Sequence, residues 1–157
     1  MQKITPCLWF DTQGEEAASF YISVFDNSEI LAVSHYGEGG PKPAGTVLTV
    51  NFTLDGQEFL ALNGGPEFHF TEAVSFQVSC KDQEEVDKFW YGLSAGGEEG
   101  PCGWLKDRYG VSWQVVPTVL PELLSNPDPE KAQKVMAAMM QMGKLDIAAL
   151  QNAAEAA

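Results

Sequence analysis

Hydroxyl and amide side chains alternate with apolar ones in two short runs of the sequence. The first run contains Ser75 and Gln77, and the second contains Ser112 and Gln114. Successive side chains of a strand point to opposite faces. The pattern therefore predicts two strands that each have one core face and one polar face. A set of hydroxyl and amide groups on a concave sheet would orient a small polar ligand by hydrogen bonds.

The second run lies within the stretch CGWLKDRYGVSWQVVP, residues 102–117. Before the predicted strand, Arg108-Tyr109-Gly110 is typical of a tight turn. Pro117 ends the strand, because proline has no N–H to donate to a ladder.

Composition excludes several classes of partner. The chain has 157 residues, 45% of them hydrophobic, and can bury a core as one domain or two fused modules. Its formal net charge of −13 argues against nucleic acid and anionic membranes, because phosphate groups repel an acidic surface. No apolar run has membrane-spanning length, and the one near the N-terminus is too short for a signal peptide. We therefore expect a soluble protein of the cytoplasm.

The cysteines are Cys7, Cys80 and Cys102. Their odd number and wide spacing argue against a disulfide scaffold and a structural zinc site. With only His35 and His69 present, a histidine-rich metal centre is excluded as well. A catalytic alternative makes Cys7 or Cys102 a nucleophile with His69 as its base. A cysteine in a strand pattern is, however, more often structural.

The order of predicted elements repeats along the chain. A strand over 4–10, a helix capped by Asp11 or Thr12 and three strands ending near Asn63 make the first copy. A strand over 73–80 then starts a second copy.

The second copy continues with a helix from the N-cap Asp82 to Ser94 and short strands around 102–106 and 111–116. A further strand before Pro101 is not predicted, and the acidic pair Glu98-Glu99 is interpreted as a solvated loop. The repeat predicts two modules of order β-α-β-β-β.

Beyond Pro117 the pattern predicts helices. They lie at about 120–124, 130–142 and 145–154. The second helix region contains a stripe of apolar residues, which is typical of a core or dimer contact: Val135, Met136, Met139, Met140 and Met142.

Four stretches resemble the PhnB-like family, also labelled 3-demethylubiquinone-9 3-methyltransferase-like, of the vicinal oxygen chelate superfamily. They are FDTQGEEAASFY (10–21), LDGQEFLALNGGPEFHF (54–70), SFQVSCKDQEEVDKFW (75–90) and CGWLKDRYGVSWQVVP (102–117). The tail over 127–150 is similar to the family too. The superfamily includes glyoxalase I, bleomycin-resistance proteins and extradiol dioxygenases.

The resemblance implies an α+β fold in which two β-α-β-β-β modules form a curled mixed sheet around a cavity, followed by C-terminal helices. We expect one glyoxalase-like domain over 1–157, with modules at 3–65 and 72–117 and a helical extension at 118–157. A homodimer is also implied.

Metal-dependent members of the superfamily place one ligand on the first strand and one on the last strand of each module. In this sequence the positions fall at Thr5 or Cys7, near Ala61, at Ser75 and at Gln114. None is a carboxylate or an imidazole, the donors that such metals need. The glycine pairs also lack the setting of a nucleotide-binding turn. We therefore expect neither a metal nor another cofactor.

The resemblance and the strand parity together predict a pocket for a small organic ligand. Seven side chains would share its inward face: Cys7, Trp9, Asn63, Ser75, Gln77, Ser112 and Gln114. Trp9, with Phe59 and Phe70, would offer a stacking surface. In the alternative, the polar groups bond one another and buried water in a collapsed cavity. Lys106 and Arg108 would only border the pocket, so a phosphonate ligand is not predicted.

Three functions remain open at this point. The first is binding of a small organic molecule without metal. The second is an enzyme acting on such a molecule: a methyltransferase by the family label, or a lyase, isomerase or dioxygenase if a metal is bound. The third is an interaction module that dimerises through exchanged strands or the C-terminal helices.

Overall fold

A computed structural model describes residues 2–156, and the chain divides into two compact units between Phe70 and Thr71. The first unit follows the predicted order: β1 (Cys7–Phe10), α1 (Gly14–Val24), β2 (Glu29–His35), β3 (Val47–Leu54) and β4 (Gln57–Asn63). The second unit repeats it: β5 (Ser75–Cys80), α2 (Gln83–Ser94), β6 (Glu98–Glu99), β7 (Trp104–Lys106) and β8 (Ser112–Pro117). The helices α3 (Val119–Leu124), α4 (Pro129–Met139) and α5 (Ile147–Glu155) follow. The prediction of two β-α-β-β-β modules with C-terminal helices is confirmed.

The sheet of the first unit has the strand order β1-β4-β3-β2, with β1 parallel to β4. One of its faces is buried against α1, where the rings of Tyr21 and Phe52 stack at 6.2 Å between centroids. The N-cap of α1 is Gln13, and its side chain makes no capping bond. The prediction that Asp11 or Thr12 caps this helix is therefore wrong.

The sheet of the second unit has the order β5-β8-β7-β6, with β5 parallel to β8. Asp82 caps α2 as predicted, since its carboxylate accepts from Glu85 N at 2.9 Å. Glu98 and Glu99 form β6 rather than a loop. Glu99 also accepts a hydrogen bond from Trp90 Nε1 at 2.9 Å, which ties this short strand to α2.

A buried carboxylate holds the turn that leads into β8. Asp107 is 3% exposed, and its Oδ1 accepts from Tyr109 N at 2.8 Å and Val111 N at 3.1 Å. Its Oδ2 accepts from Trp113 Nε1 at 2.9 Å. Asp107 thus joins the predicted turn by hydrogen bonds to Trp113, which lies on the core face of β8.

The C-terminal helices enclose an apolar cluster of their own, which includes Val116 of β8. Its other buried members are Leu120, Val135, Leu145, Leu150 and Ala154, with Met139 and Met142 packed against them. Met136 and Met140 remain 44% and 57% exposed. The predicted methionine stripe therefore serves partly as core and partly as surface.

Within residues 2–156, every helix falls short of the length and apolarity that spanning a membrane requires.

We expect Asp107→Ala to lower the free energy of unfolding by about 3 kcal/mol, because it leaves several buried donors without an acceptor. Asp107→Asn should lose less, because its amide oxygen still accepts. Urea denaturation followed by tryptophan fluorescence measures both changes. Glu84→Ala, an exposed carboxylate on α2, is the control and should change stability by less than about 0.5 kcal/mol. If Asp107→Ala unfolds like the control, the carboxylate does not hold the turn.

Candidate functional site

Four of the seven predicted side chains lie on one face of the second unit's sheet. The parallel ladder between β5 and β8 pairs Ser75 with Ser112 and Gln77 with Gln114. Paired residues in a ladder present their side chains on the same face. The other face carries Trp113, which is 2% exposed. The pairing thus brings these hydroxyl and amide groups together, as the alternation predicts.

The bonding of these four groups differs. Gln114 Nε2 donates to Ser75 Oγ at 2.9 Å. This pair agrees with the alternative in which the polar groups bond one another instead of a ligand. Gln77 is exposed to solvent. Ser112 is 1% exposed, and its Oγ is buried with no hydrogen-bond partner among residues 2–156. A buried hydroxyl without a partner costs about 1–3 kcal/mol, so this group has unused bonding capacity.

A cavity of about 480 Å³ adjoins Ser112. The residues that line it come from β6, β7, the turn between them, the start of β8 and the segment before β5: Glu72, Glu98, Glu99, Gly100, Pro101, Cys102, Trp104, Leu105, Lys106 and Ser112. Of the seven predicted pocket residues, Ser112 is among them. The cavity therefore lies toward the β6 side of the face, away from the pair formed by Ser75 and Gln114.

Three lining residues outside the predicted pocket set belong to β7: Trp104, Leu105 and Lys106. Trp104 pairs with Gln114 and Lys106 pairs with Ser112, so both share the polar face. Leu105 between them is 2% exposed. This alternation was present in the sequence, but a strand of three residues is too short for periodicity to identify its faces.

Lys106 lines the cavity rather than bordering it, and it forms an ion pair with Glu72. The hydrogen bond from Lys106 lowers the pKa of the Glu72 carboxyl. The same partner raises the pKa of Lys106, and the charge of Glu98 raises it further. Arg108 is not among the lining residues, and its Nε donates a hydrogen bond to Ala95 O at 3.2 Å. The cation of the cavity is thus already engaged with carboxylates.

Trp9 is held in place within the first unit. Its Nε1 donates to Gly65 O at 2.9 Å, and its ring meets Phe68 edge-on at 4.9 Å between centroids. A Cβ on Gly64 would lie 2.4 Å from this ring, so only glycine fits there. Cys7 shares this face and is exposed.

Phe59 and Phe70 do not extend the surface of Trp9. Phe59 is buried on the opposite face, where it stacks on Phe52 at 5.5 Å. Phe70 packs against Phe10 at 5.3 Å. The prediction that these rings join Trp9 in one stacking surface is wrong, because the odd residues of β4 face α1.

Asn63 lies on the helix side of the same sheet. It pairs with Phe10 in the β1–β4 ladder and is 7% exposed, so it does not share the face of Cys7 and Trp9 as predicted. Its Oδ1 accepts from Gly14 N at 2.7 Å, and its Nδ2 donates to Val47 O at 3.2 Å. Asn63 therefore supplies the capping bond that Gln13 does not.

The positions expected for metal ligands do not fit a divalent cation. Ala61 has no donor atom and is buried, while Thr5 and Cys7 are exposed. Ser75 and Gln114 bond each other through neutral groups. Among residues 2–156, no group of three or more histidine, cysteine, aspartate or glutamate side chains could hold a metal. Deprotonated oxygen or neutral imidazole donors, which such ions require, are lacking at these positions.

The cysteines differ in environment. Burial raises the pKa of the Cys80 thiol to about 12. Cys7 is exposed as a residue, and partial desolvation of its thiol raises its pKa. The Sγ of Cys102 lies 3.7 Å from the Sδ of Met140. His69 is exposed, and no hydrogen bond within residues 2–70 joins it to Cys7. The first unit thus does not pair Cys7 with His69, and the alternative with Cys102 stays a prediction.

We expect Asn63→Ala to lower the free energy of unfolding by about 2 kcal/mol, because the first N–H of α1 and the carbonyl of Val47 both lose their partner. Asn63→Asp should be milder, since it keeps the acceptor for Gly14. Thermal and urea unfolding measure the effect, with Asn51→Ala on the half-exposed face of β3 as control. Equal stability of Asn63→Ala and the control would show that the two hydrogen bonds of Asn63 do not stabilise the first unit.

Comparison with known proteins agrees with this architecture. A family model described as 3-demethylubiquinone-9 3-methyltransferase matches residues 2–116. A PhnB protein from Bacillus cereus is 42% identical, with a TM-score of 0.67 over 74% of this chain and 100% of its own. No curated protein matches the chain.

Two more distant structures share the fold alone. The Pseudomonas aeruginosa protein PA1353 is 20% identical, with a TM-score of 0.62 over 74% of this chain and 98% of its own. The fosfomycin resistance protein FosX from Listeria monocytogenes is 15% identical, with a TM-score of 0.53 over 78% of this chain and 97% of its own. The chain thus belongs to the 3-demethylubiquinone-9 3-methyltransferase family and is of the PhnB type.

Proposed function

We propose that the protein binds a small organic molecule in the cavity of its second unit, without a metal. The observation that carries this proposal is Ser112, a residue of the cavity lining whose hydroxyl is buried and unpartnered within residues 2–156. A ligand atom that bonds this hydroxyl would remove the cost of leaving it unsatisfied.

The size and lining of the cavity support the same proposal. About 480 Å³ falls in the range of small-molecule sites, which are mostly apolar with a few placed polar groups. Trp104 and Pro101 supply apolar surface, and Ser112 and Lys106 supply hydrogen-bonding groups on the same side of the sheet. Ser75, Gln77 and Gln114 continue this face beyond the cavity and would contact a longer ligand.

We expect Ser112→Ala to separate ligand binding from folding. Removal of an unsatisfied buried hydroxyl should leave the stability of the free protein unchanged or raise it by up to about 1 kcal/mol. Fragments that bind the wild-type protein, found by a thermal-shift screen and measured by calorimetry, should bind the variant about tenfold more weakly.

The matched control is Ser79→Ala, an exposed serine of β5 that does not line the cavity. It should change neither stability nor fragment affinity. If Ser112→Ala destabilises the free protein and leaves fragment affinity intact, the hydroxyl is a structural group and the proposal fails.

We further propose that the protein is a homodimer, with the exposed part of the methionine stripe in the contact. Met136 lies on α4 and Met140 is its C-cap residue, one helical turn further along, and both are large apolar side chains open to solvent. Light scattering on a sizing column should give twice the mass of the chain at micromolar concentration. A paired Met136→Glu and Met140→Glu variant should give the monomer mass. A wild-type monomer would contradict the proposal.

We also infer a cytoplasmic location. All three cysteines are free thiols, and unpaired cysteines are typical of proteins in a reducing compartment.

A further inference from the structure

Carboxylates outnumber cations around the cavity. Glu72 and Glu98 line it together with Lys106, while the carboxylate of Glu99, a third lining residue, is bonded to Trp90 Nε1. Glu72 forms the ion pair with Lys106, and Glu98 faces Lys106 across the β6–β7 ladder. One ammonium therefore stands between two carboxylates, which leaves negative charge uncompensated beside the cavity.

The ionised state of this cluster follows from its contacts. The hydrogen bond from Lys106 lowers the pKa of Glu72, which keeps that carboxylate charged at neutral pH. Glu72 and the charge of Glu98 raise the pKa of Lys106, so the ammonium stays protonated. An anionic ligand would have to compete with Glu72 for Lys106 while approaching the other carboxylates. A cationic ligand gains attraction from the same arrangement.

The remaining lining suits a flat apolar body. Trp104 is half-buried on the face shared with Lys106, and its indole ring can attract a cation or stack on an aromatic ring. Ser112 adds an independent observation, because it lines the same cavity and its buried hydroxyl has no partner within residues 2–156. That hydroxyl can accept a hydrogen bond from an ammonium or a guanidinium group.

We propose that the cavity selects an organic cation, an amine or guanidine carried on a flat apolar ring system. This inference rests on the proposed function and names the chemical class of its ligand. The cationic group lies toward Glu98 and the ring lies against Trp104, with Ser112 on the opposite side of Lys106 from Glu98. The net charge of −13 adds long-range attraction for such ligands at low salt.

Three probes of matched shape test the charge preference: 1-naphthylmethylamine, 1-naphthalenemethanol and 1-naphthoate. Calorimetry at pH 7 should show the amine binding at least about fivefold more tightly than the alcohol, the effect of one screened charge at close range. The carboxylate should bind more weakly than the alcohol. Raising NaCl from about 20 to 300 mM should reduce the advantage of the amine.

Two variants that each remove one negative charge test whether the preference for the amine comes from the cavity. Glu98→Gln removes a carboxylate from the cavity, and Glu84→Gln removes an exposed one from the first turn of α2. The amine should lose about fivefold in affinity with Glu98→Gln and keep its affinity with Glu84→Gln. Equal losses would mean that only the overall charge attracts the amine, which would overturn the inference.

The remaining outcomes distinguish this inference from the proposed function. If the alcohol or carboxylate binds as tightly as the amine and Ser112→Ala weakens it, the ligand class is wrong while the cavity remains a binding site. If the probes bind and Ser112→Ala has no effect on any of them, both proposals fail. If no probe binds at millimolar concentration, the cation preference is overturned.

Discussion

The parallel pairing of β5 with β8 is the constraint on which the candidate site depends. Parallel neighbours cannot be joined by a tight turn, so the chain between them must cross over through a helix and further strands. Here α2 covers one face of the sheet, and Trp113 and Val115 are buried on that face. The opposite face receives the hydroxyl and amide groups. The register then sets Ser75 beside Ser112, and β7 adds Lys106 on the far side.

Polar side chains on this face would destabilise a fully packed core unless they form hydrogen bonds. Within residues 2–156, some of them do form such bonds and others do not. Ser75 and Gln114 form a closed pair, which explains two of the polar residues without any ligand. Ser112 cannot be explained in this way, because it is buried and unpartnered within residues 2–156. A chain selected for stability alone would favour an apolar or small residue at this position. The polar groups of Ser75 and Gln114 therefore have a structural explanation, whereas the hydroxyl of Ser112 is available to bond a ligand.

Alternation along a strand predicted the faces of β8 and β5, because both strands are six residues long and half of their positions are apolar. It failed for Asn63. Periodicity identifies which residues of one strand share a face, but the register against β1 decides which face is turned to the helix. That register pairs Asn63 with Phe10, not with Trp9.

The cavity itself was beyond sequence reasoning for a related reason. Strands of two and three residues, such as β6 and β7, carry no usable period, so Glu98 and Trp104 could not be assigned to a face. Glu72 lies outside any strand and joins the site only through its ion pair with Lys106. These contacts depend on tertiary packing rather than on local pattern.

The C-terminal helices lie beyond the family match, which ends at residue 116, and the segment between α4 and α5 contacts the rim of the cavity. Cys102 lines the cavity, and its N–H donates to Met142 O at 2.7 Å while its Sγ touches Met140. Gly103 N donates to Gly143 O at 2.8 Å, so the segment after α4 is bonded to the chain just before β7. Leu145, a buried member of the apolar cluster, lies next to Gly103 at this contact. One wall of the cavity is therefore supported by residues outside the shared fold, and the shape of the site cannot be transferred from relatives that lack them.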